Sequence, residues 1–324
     1  MESSMQASRK YELDCQYLNS CFLIGNGEGN RQKLVETLAS RDSQELKLIH
    51  QTFRALYNQD LHHVLSTIRH NDALANAVYL RMSEPQERDA EIIREALFGR
   101  RVNVNTLVEV VSTRSSTELH SIKQAYRFRY NSEIEQDMAH TISATFKEIL
   151  LTILKSSPKY GGRIDTSMAM CDAKTLYEAM ETGNSVDWKT ITSLLTQRNT
   201  PQIKSILSAY KELYGHEFSK FLKSNKCGKF GTEMRMVIRG IQFPGKFFAK
   251  QLRGALQSGG DGREILTRVV ITRLEIDVRE MSNVFAAKTG WTLGNFVRRE
   301  FNSAGGDKGY DFTGEFLLGL LRHC

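Results

Sequence analysis

No run of roughly 18 unbroken apolar residues occurs in the 324-residue chain, so nothing in it reads as a membrane-spanning helix. Cysteine is scarce: Cys15, Cys21, Cys171, Cys227 and Cys324 are odd in number, scattered, and form no C-x-x-C. That argues against a disulfide framework or a thiolate zinc site and leaves buried or free thiols. The opening residues MESSMQASRKYELDCQYLNS lack the apolar core of a secretory signal, so the expected address is cytoplasmic. Strand-like alternation of apolar and polar residues is missing, and so is the G-x-x-x-x-G-K-[ST] pattern that cradles phosphate. No aromatic-basic motif for a specific nucleic acid stands out.

What is present is the composition of a soluble globular protein, with 40% hydrophobic and 25% charged residues. The net charge of +7 and pI near 9.1 suit an anionic partner, such as nucleic acid, an acidic lipid surface or acidic proteins. Plain solubility accounts for the charge equally well.

The strongest internal signal is a repeat. Anchored on Arg41, Arg114, Arg198 and Arg273, four segments carry apolar residues at the same offsets. Seven before the arginine stand Leu34, Leu107, Ile191 and Leu266, and three before stand Leu38, Val111, Leu195 and Val270. Five after come Leu46, Leu119, Ile203 and Val278, and eight after come Ile49, Ile122, Ile206 and Met281. Twelve after come Phe53, Tyr126, Tyr210 and Phe285. Steps of three and four residues put these side chains on one helical face. Asp42, Ser115 and Asn199 follow the arginine directly, where a short polar side chain caps the next helix, whereas Leu274 breaks the pattern in the fourth segment. The arginine itself is expected to spread its fork over carbonyls at a helix end.

The anchors lie 73, 84 and 75 residues apart, and the longest interval contains KSSPKYGGRIDTS, the best linker in the chain. Pro85, Pro158 and Pro244 fall between units, while Pro201 sits just inside a helix start, where proline is tolerated. The expected organisation is all-α, with repeats at 12–82, 83–156, 157–242 (linker included) and 243–324. Each has room for four or five short helices.

This pattern resembles the annexins. The phrases SEPQERDAEIIREAL, QFPGKFFAKQLRGAL and LTRVVITRLEIDV are similar to plant annexins in particular, and the likeness runs over roughly residues 12–322. It implies about five helices per repeat, wound into a right-handed superhelix that forms a slightly curved disc. It also implies that the convex face binds acidic phospholipid membranes through calcium, with self-association on the membrane left open.

In the family, calcium is held between the loop joining the first two helices of a repeat and an acid about 40 residues further on. Calcium is a hard cation taking about six to eight oxygens, so loop carbonyls with one bidentate carboxylate suit it. Carried onto GALQSGGDGRE, the resemblance implies the carbonyls of Leu256, Ser258 and Gly260 with the carboxylate of Glu300. Ser258 stands in place of a glycine, and Asp307 and Asp311 are alternative acids. The same offsets give Glu28 and Ile68, Arg101 and Thr141, and Ser185 and Asn225, and none of these pairs forms such a site. Repeat one is glycine-rich in IGNGEGNRQKL but offers no acid until Asp72.

In repeat two the loop LFGRRVNVN carries Arg100 and Arg101 where a metal would sit, so fixed cations are expected to meet lipid phosphate directly. Leu97 and Phe98 are either core or interfacial anchors. No catalytic constellation emerges: His62, His63 and His70 have no convergent acid or cysteine. Ser40 occupies the position where some plant annexins carry a histidine associated with peroxidase activity, and Ser112 stands near an expected redox cysteine. The chain is therefore expected not to be an enzyme. Two other readings stay open: a helical-repeat interaction scaffold, and ion conductance through a polar channel. Glu84, Asp89, Arg114, Arg273 and Asp277 are candidates to line that channel or to form an ion network between repeats.

Overall fold

The computed structural model describes residues 10–24, 28–141, 144–154, 163–181, 185–258, 262–302 and 311–324. Among the described residues there are twenty α-helices and no strand, in four groups of five. The first group holds α1 (Glu12–Asn19, continued by a π-helical turn Ser20–Ile24), α2 (Glu28–Ala39), α3 (Ser43–Tyr57), α4 (Leu61–Ile68) and α5 (Ala73–Met82). The second holds α6 (Pro85–Phe98), α7 (Val104–Thr113), α8 (Ser116–Tyr130), α9 (Ile134–Thr141) and α10 (Ala144–Leu154). In the third are α11 (Thr166–Glu181), α12 (Trp188–Gln197), α13 (Thr200–Tyr214), α14 (Phe218–Phe221) and α15 (Gly228–Gln242). The fourth comprises α16 (Pro244–Ser258), α17 (Gly262–Arg273), α18 (Val278–Thr289), α19 (Leu293–Asn302) and α20 (Phe312–Arg322).

Two compact units emerge, one of residues 1–84 with 248–324 and the other of residues 85–247. Every apolar side chain at the five repeated offsets is buried, from Leu34 and Ile49 to Met281 and Phe285. Burying a side chain of this size stabilises by about 1.5–3 kcal/mol, so the repeat pattern marks the cores. The third helix of each group shows how sequence sets its limits. Asp42 and Ser115 close capping boxes with Glu45 and Glu118, and Asn199 accepts from the Gln202 N–H with Pro201 in the first turn. Its C-terminal end is equally regular: Asn58, Asn131, Gly215 and Gly290 all adopt the left-handed conformation, at φ 50°, 48°, 73° and 73°. Asparagine and glycine are the residues that tolerate it.

The anchoring arginines behave differently from the expected bonding to carbonyls. Arg41 bonds Asp14, Arg114 bonds Asp89, and Arg198 bonds Asp172 with Nε 2.7 Å from Oδ2. Each aspartate lies on the first helix of its own group, and a carboxylate matches the guanidinium fork better than separate carbonyls do. At the corresponding place the fourth group has Phe248, whose ring lies 4.5 Å from the Arg273 guanidinium. Arg273 turns instead to Asp277 in the loop after α17, at 2.7 Å through both Nε and Nη2. The break at Leu274 and this local pair go together: α18 starts at Val278 without a side-chain cap because Asp277 is committed to Arg273.

Candidate functional site

The expected cation site falls at the end of α16, the start of α17 and the end of α19. Ser258 is the last residue of α16 and is helical, so the glycine it replaces is not required there for backbone freedom. Gly260 and Asp307 lie outside the described residues.

Leu256 and Glu300 are brought together through a third residue. Arg299 Nη2 donates to the Leu256 carbonyl at 2.8 Å and to Glu300 Oε1 at 2.6 Å, while its Nε reaches the same Oε1 at 3.1 Å. The guanidinium lies over Trp291 and Phe296, 5.4 and 5.3 Å from the ring centroids. Glu300 points its other oxygen at Gly262, where any Cβ would overlap Oε2 and stand 2.8 Å from the carboxyl carbon. Glycine at 262 is therefore needed for the carboxylate to lie in this place. Arg263 completes the frame by donating to the Glu300 carbonyl at 2.8 Å and to Asp311 Oδ2 at 3.2 Å. Asp311 also caps α20 through the Thr313 N–H.

A hard cation would find the right kind of oxygens here: a carbonyl at a helix end and a carboxylate. It would find few of them, since two of the four expected donors converge among the described residues. No cluster of three or more His, Cys, Asp or Glu that could hold a metal occurs among those residues either.

Elsewhere the arrangement differs. In the first group Arg31, at the offset of Arg263, donates to Asp72 at 2.6 Å, and Asp72 caps α5 as Asp311 caps α20. That tie recurs without an acid at Ile68. In the second group Leu97 is buried and belongs to the core, whereas Phe98 is 50% exposed. Phe98, Arg100, Arg101 and Val102 together form an exposed apolar-basic patch between α6 and α7. The loop is held by Gly99 N–H donating to Glu95 O at 2.8 Å, and by Asn103 capping α7. Behind it, Asp137 accepts from Arg94 at 2.7 Å, Tyr126 at 2.6 Å and Ser132 at 2.9 Å. Burial first, then the bond to Asp137, pushes the Tyr126 phenol well above its ordinary range.

Of the channel candidates, Asp89 meets Arg114 and Asp277 meets Arg273, each within its own group, and both arginines are buried. Glu84 pairs instead with Lys47 at 3.0 Å. One polar tie between the first and fourth groups runs through a residue the sequence pattern does not single out. Arg81 donates to the Arg41 carbonyl at 3.1 Å and to Glu275 at 2.9 Å. His63 and His70 are exposed, and His62 contacts the Ser83 hydroxyl at 2.9 Å.

Comparison with known proteins agrees with the sequence pattern. The family model Annexin matches residues 88–153 and 171–236. The chain is 31% identical over 313 residues to Annexin D7 of Arabidopsis thaliana, covering 96% of this chain and 95% of that protein. Among solved structures it is similar to Annexin III, with a TM-score of 0.80 at 22% identity over 96% of this chain and 93% of that one. It is also similar to a calcium-bound annexin (Sm)1, with a TM-score of 0.76 at 20% identity over 97% of this chain and 90% of that one.

Proposed function

The chain belongs to the annexin family, and from that premise we propose that it is a peripheral protein of acidic phospholipid membranes whose attachment has two parts. One part depends on calcium and uses the fourth repeat; the other is calcium-independent and uses the basic loop of the second.

The observation that supports the first part most directly is the meeting of the Leu256 carbonyl with the Glu300 carboxylate across 44 residues of chain. Calcium would be held by Glu300 with the carbonyls of Leu256, Ser258 and Gly260. When bound there it supplies positive charge that a lipid phosphate oxygen can ligate. Glu300 gives the negative charge, Gly262 leaves room for it, and Arg263 fixes the end of α19 that carries it. Calcium and lipid then raise each other's affinity by the same factor. Ile68, Thr141 and Asn225 cannot supply an acid at the matching places, so one site of this kind is expected.

Co-sedimentation with phosphatidylserine liposomes, in calcium and in chelator, tests this reading. Glu300→Gln is expected to weaken the calcium-dependent fraction at least about tenfold, ~1.4 kcal/mol, with helix content unchanged. Equal calcium dependence in the variant and the parent would remove Glu300 from the site. Binding that ignores both calcium and lipid charge would favour an interaction scaffold.

The second part rests on Arg100 and Arg101, exposed beside Phe98 and Val102 and in no ion pair among the described residues. Each cation near an acidic leaflet contributes about 1 kcal/mol. Substituting both with glutamine is expected to weaken binding in chelator by about 2 kcal/mol at low salt, roughly thirtyfold. Screening should shrink the difference at high salt. Release of all the parent protein by chelator alone would rule this part out.

A further inference from the structure

Arg299 occupies the place where the two described donors of the fourth-repeat site converge. Its guanidinium satisfies the Leu256 carbonyl and Glu300 Oε1 with the same nitrogen, Nη2, at 2.8 and 2.6 Å. A divalent cation held by those oxygens is disfavoured beside that nitrogen, because both are positive and both crowd the same two oxygens. The carboxylate is also confined. Gly262 leaves the space that Oε2 fills, and Arg263 fixes the backbone of the same residue through its carbonyl, so Glu300 is placed at the end of α19 within reach of Arg299.

We propose that Arg299 is a resident cation that gates calcium at the fourth repeat, keeping the site closed by a guanidinium until calcium displaces it. This deepens the calcium-dependent part of the function proposed above and rests on that reading. The gate has a way to open. The Arg299 side chain is 34% exposed whereas Glu300 is 14% exposed, so the arginine is the partner with a path into solvent. Its guanidinium lies over Trp291 and Phe296, so part of its hold there is cation–π attraction. With Arg299 in place the local charges of Glu300 and Arg299 cancel; with Arg299 released, the acid is left to attract calcium. Apparent calcium affinity is the intrinsic affinity reduced by the fraction of molecules whose site is open. A partly exposed pair is screened, so the expected reduction is modest, about tenfold.

Arg299→Met keeps an apolar stem against Trp291 and Phe296 while removing the guanidinium, and Arg299→Lys keeps the charge without the fork. Isothermal titration with calcium alone, without lipid, should show Arg299→Met binding about tenfold more tightly than the parent, with Arg299→Lys between them. Melting temperature gives a second readout: the shift from chelator to calcium should be larger in Arg299→Met than in the parent. Adding Glu300→Gln to Arg299→Met should abolish both effects. Calcium binding that needs Glu300 but is equal or weaker in Arg299→Met would overturn the gate and leave the calcium site standing. Absence of calcium binding in the parent and in both folded Arg299 variants would overturn the gate and the calcium site together.

Discussion

Asp89→Ala is expected to destabilise the protein by about 3–5 kcal/mol, because it strands a buried guanidinium. Asp89 and Arg114 are joined at 2.6 Å from Nε and 3.1 Å from Nη2, with both side chains only 4% exposed. Burial acts to lower the pKa of Arg114, yet the Asp89 charge and hydrogen bonds carry it above the ordinary value. Removing the carboxylate leaves the burial cost with nothing to offset it. The Asp14–Arg41 pair has the same design, but its arginine is 20% exposed, so Asp14→Ala should cost clearly less. The double change Asp89→Leu with Arg114→Met should recover most of the loss, since a packed apolar pair replaces a buried ion pair at little net cost. Urea unfolding of the three variants and the parent tests the order. If Asp89→Ala unfolds at the parent's midpoint, water reaches Arg114 and the pair is not sealed.

Much of the fold was legible because it rests on local periodicity. The apolar offsets around Arg41, Arg114, Arg198 and Arg273 are all buried, and the caps at Asp42, Ser115 and Asn199 are formed. The Asn58, Asn131, Gly215 and Gly290 turns could have been read as well, since the same offset holds asparagine or glycine in every unit. The partners of the arginines were harder. Asp14, Asp89 and Asp172 lie 25–27 residues ahead of their arginines, a separation with no helical period behind it. Aligning the units would still have shown an acid in three of them and Phe248 in the fourth.

The candidate site was legible in part for the same reason. Its acid and one carbonyl follow from spacing within a repeat, and the structure brings Leu256 and Glu300 to one guanidinium. That Arg299 rather than solvent lies between them could not be read, because sequence shows a neighbouring charge without showing its direction. Gly262 reads as loop flexibility until the Glu300 carboxylate is seen against its Cα. At Leu97 and Phe98 the helical period ends at the loop, so the pattern could not decide which of the two is buried.

Phe285→Ala is expected to cost about 3–5 kcal/mol, the second large effect, and it belongs to a graded series at one offset of the repeat. Phe53, Tyr126, Tyr210 and Phe285 are all fully buried, and Phe285 stacks on Phe296 with centroids 5.7 Å apart. The two tyrosines then separate hydroxyl from ring. Tyr126 donates to Asp137 at 2.6 Å, so Tyr126→Phe should lose about 1.5–3 kcal/mol, the range for a bond to a charged group. The Tyr210 hydroxyl is buried with no hydrogen-bond partner among the described residues, so Tyr210→Phe should be neutral or slightly stabilising at neutral pH. Alkaline pH sharpens the contrast. Burial, then the neighbouring Tyr214, pushes the Tyr210 phenol up to about 12. An unfolded tyrosine ionises near about 10, so the folded state binds the proton more tightly. Stability is therefore fully present below about pH 10 and drains away as pH rises toward the folded value. Phenylalanine cannot ionise in either state, so Tyr210→Phe should gain on the parent increasingly above about pH 10. Denaturant midpoints at neutral and alkaline pH give the test. A cost for Tyr210→Phe as large as that for Tyr126→Phe would mean that the Tyr210 hydroxyl is bonded after all.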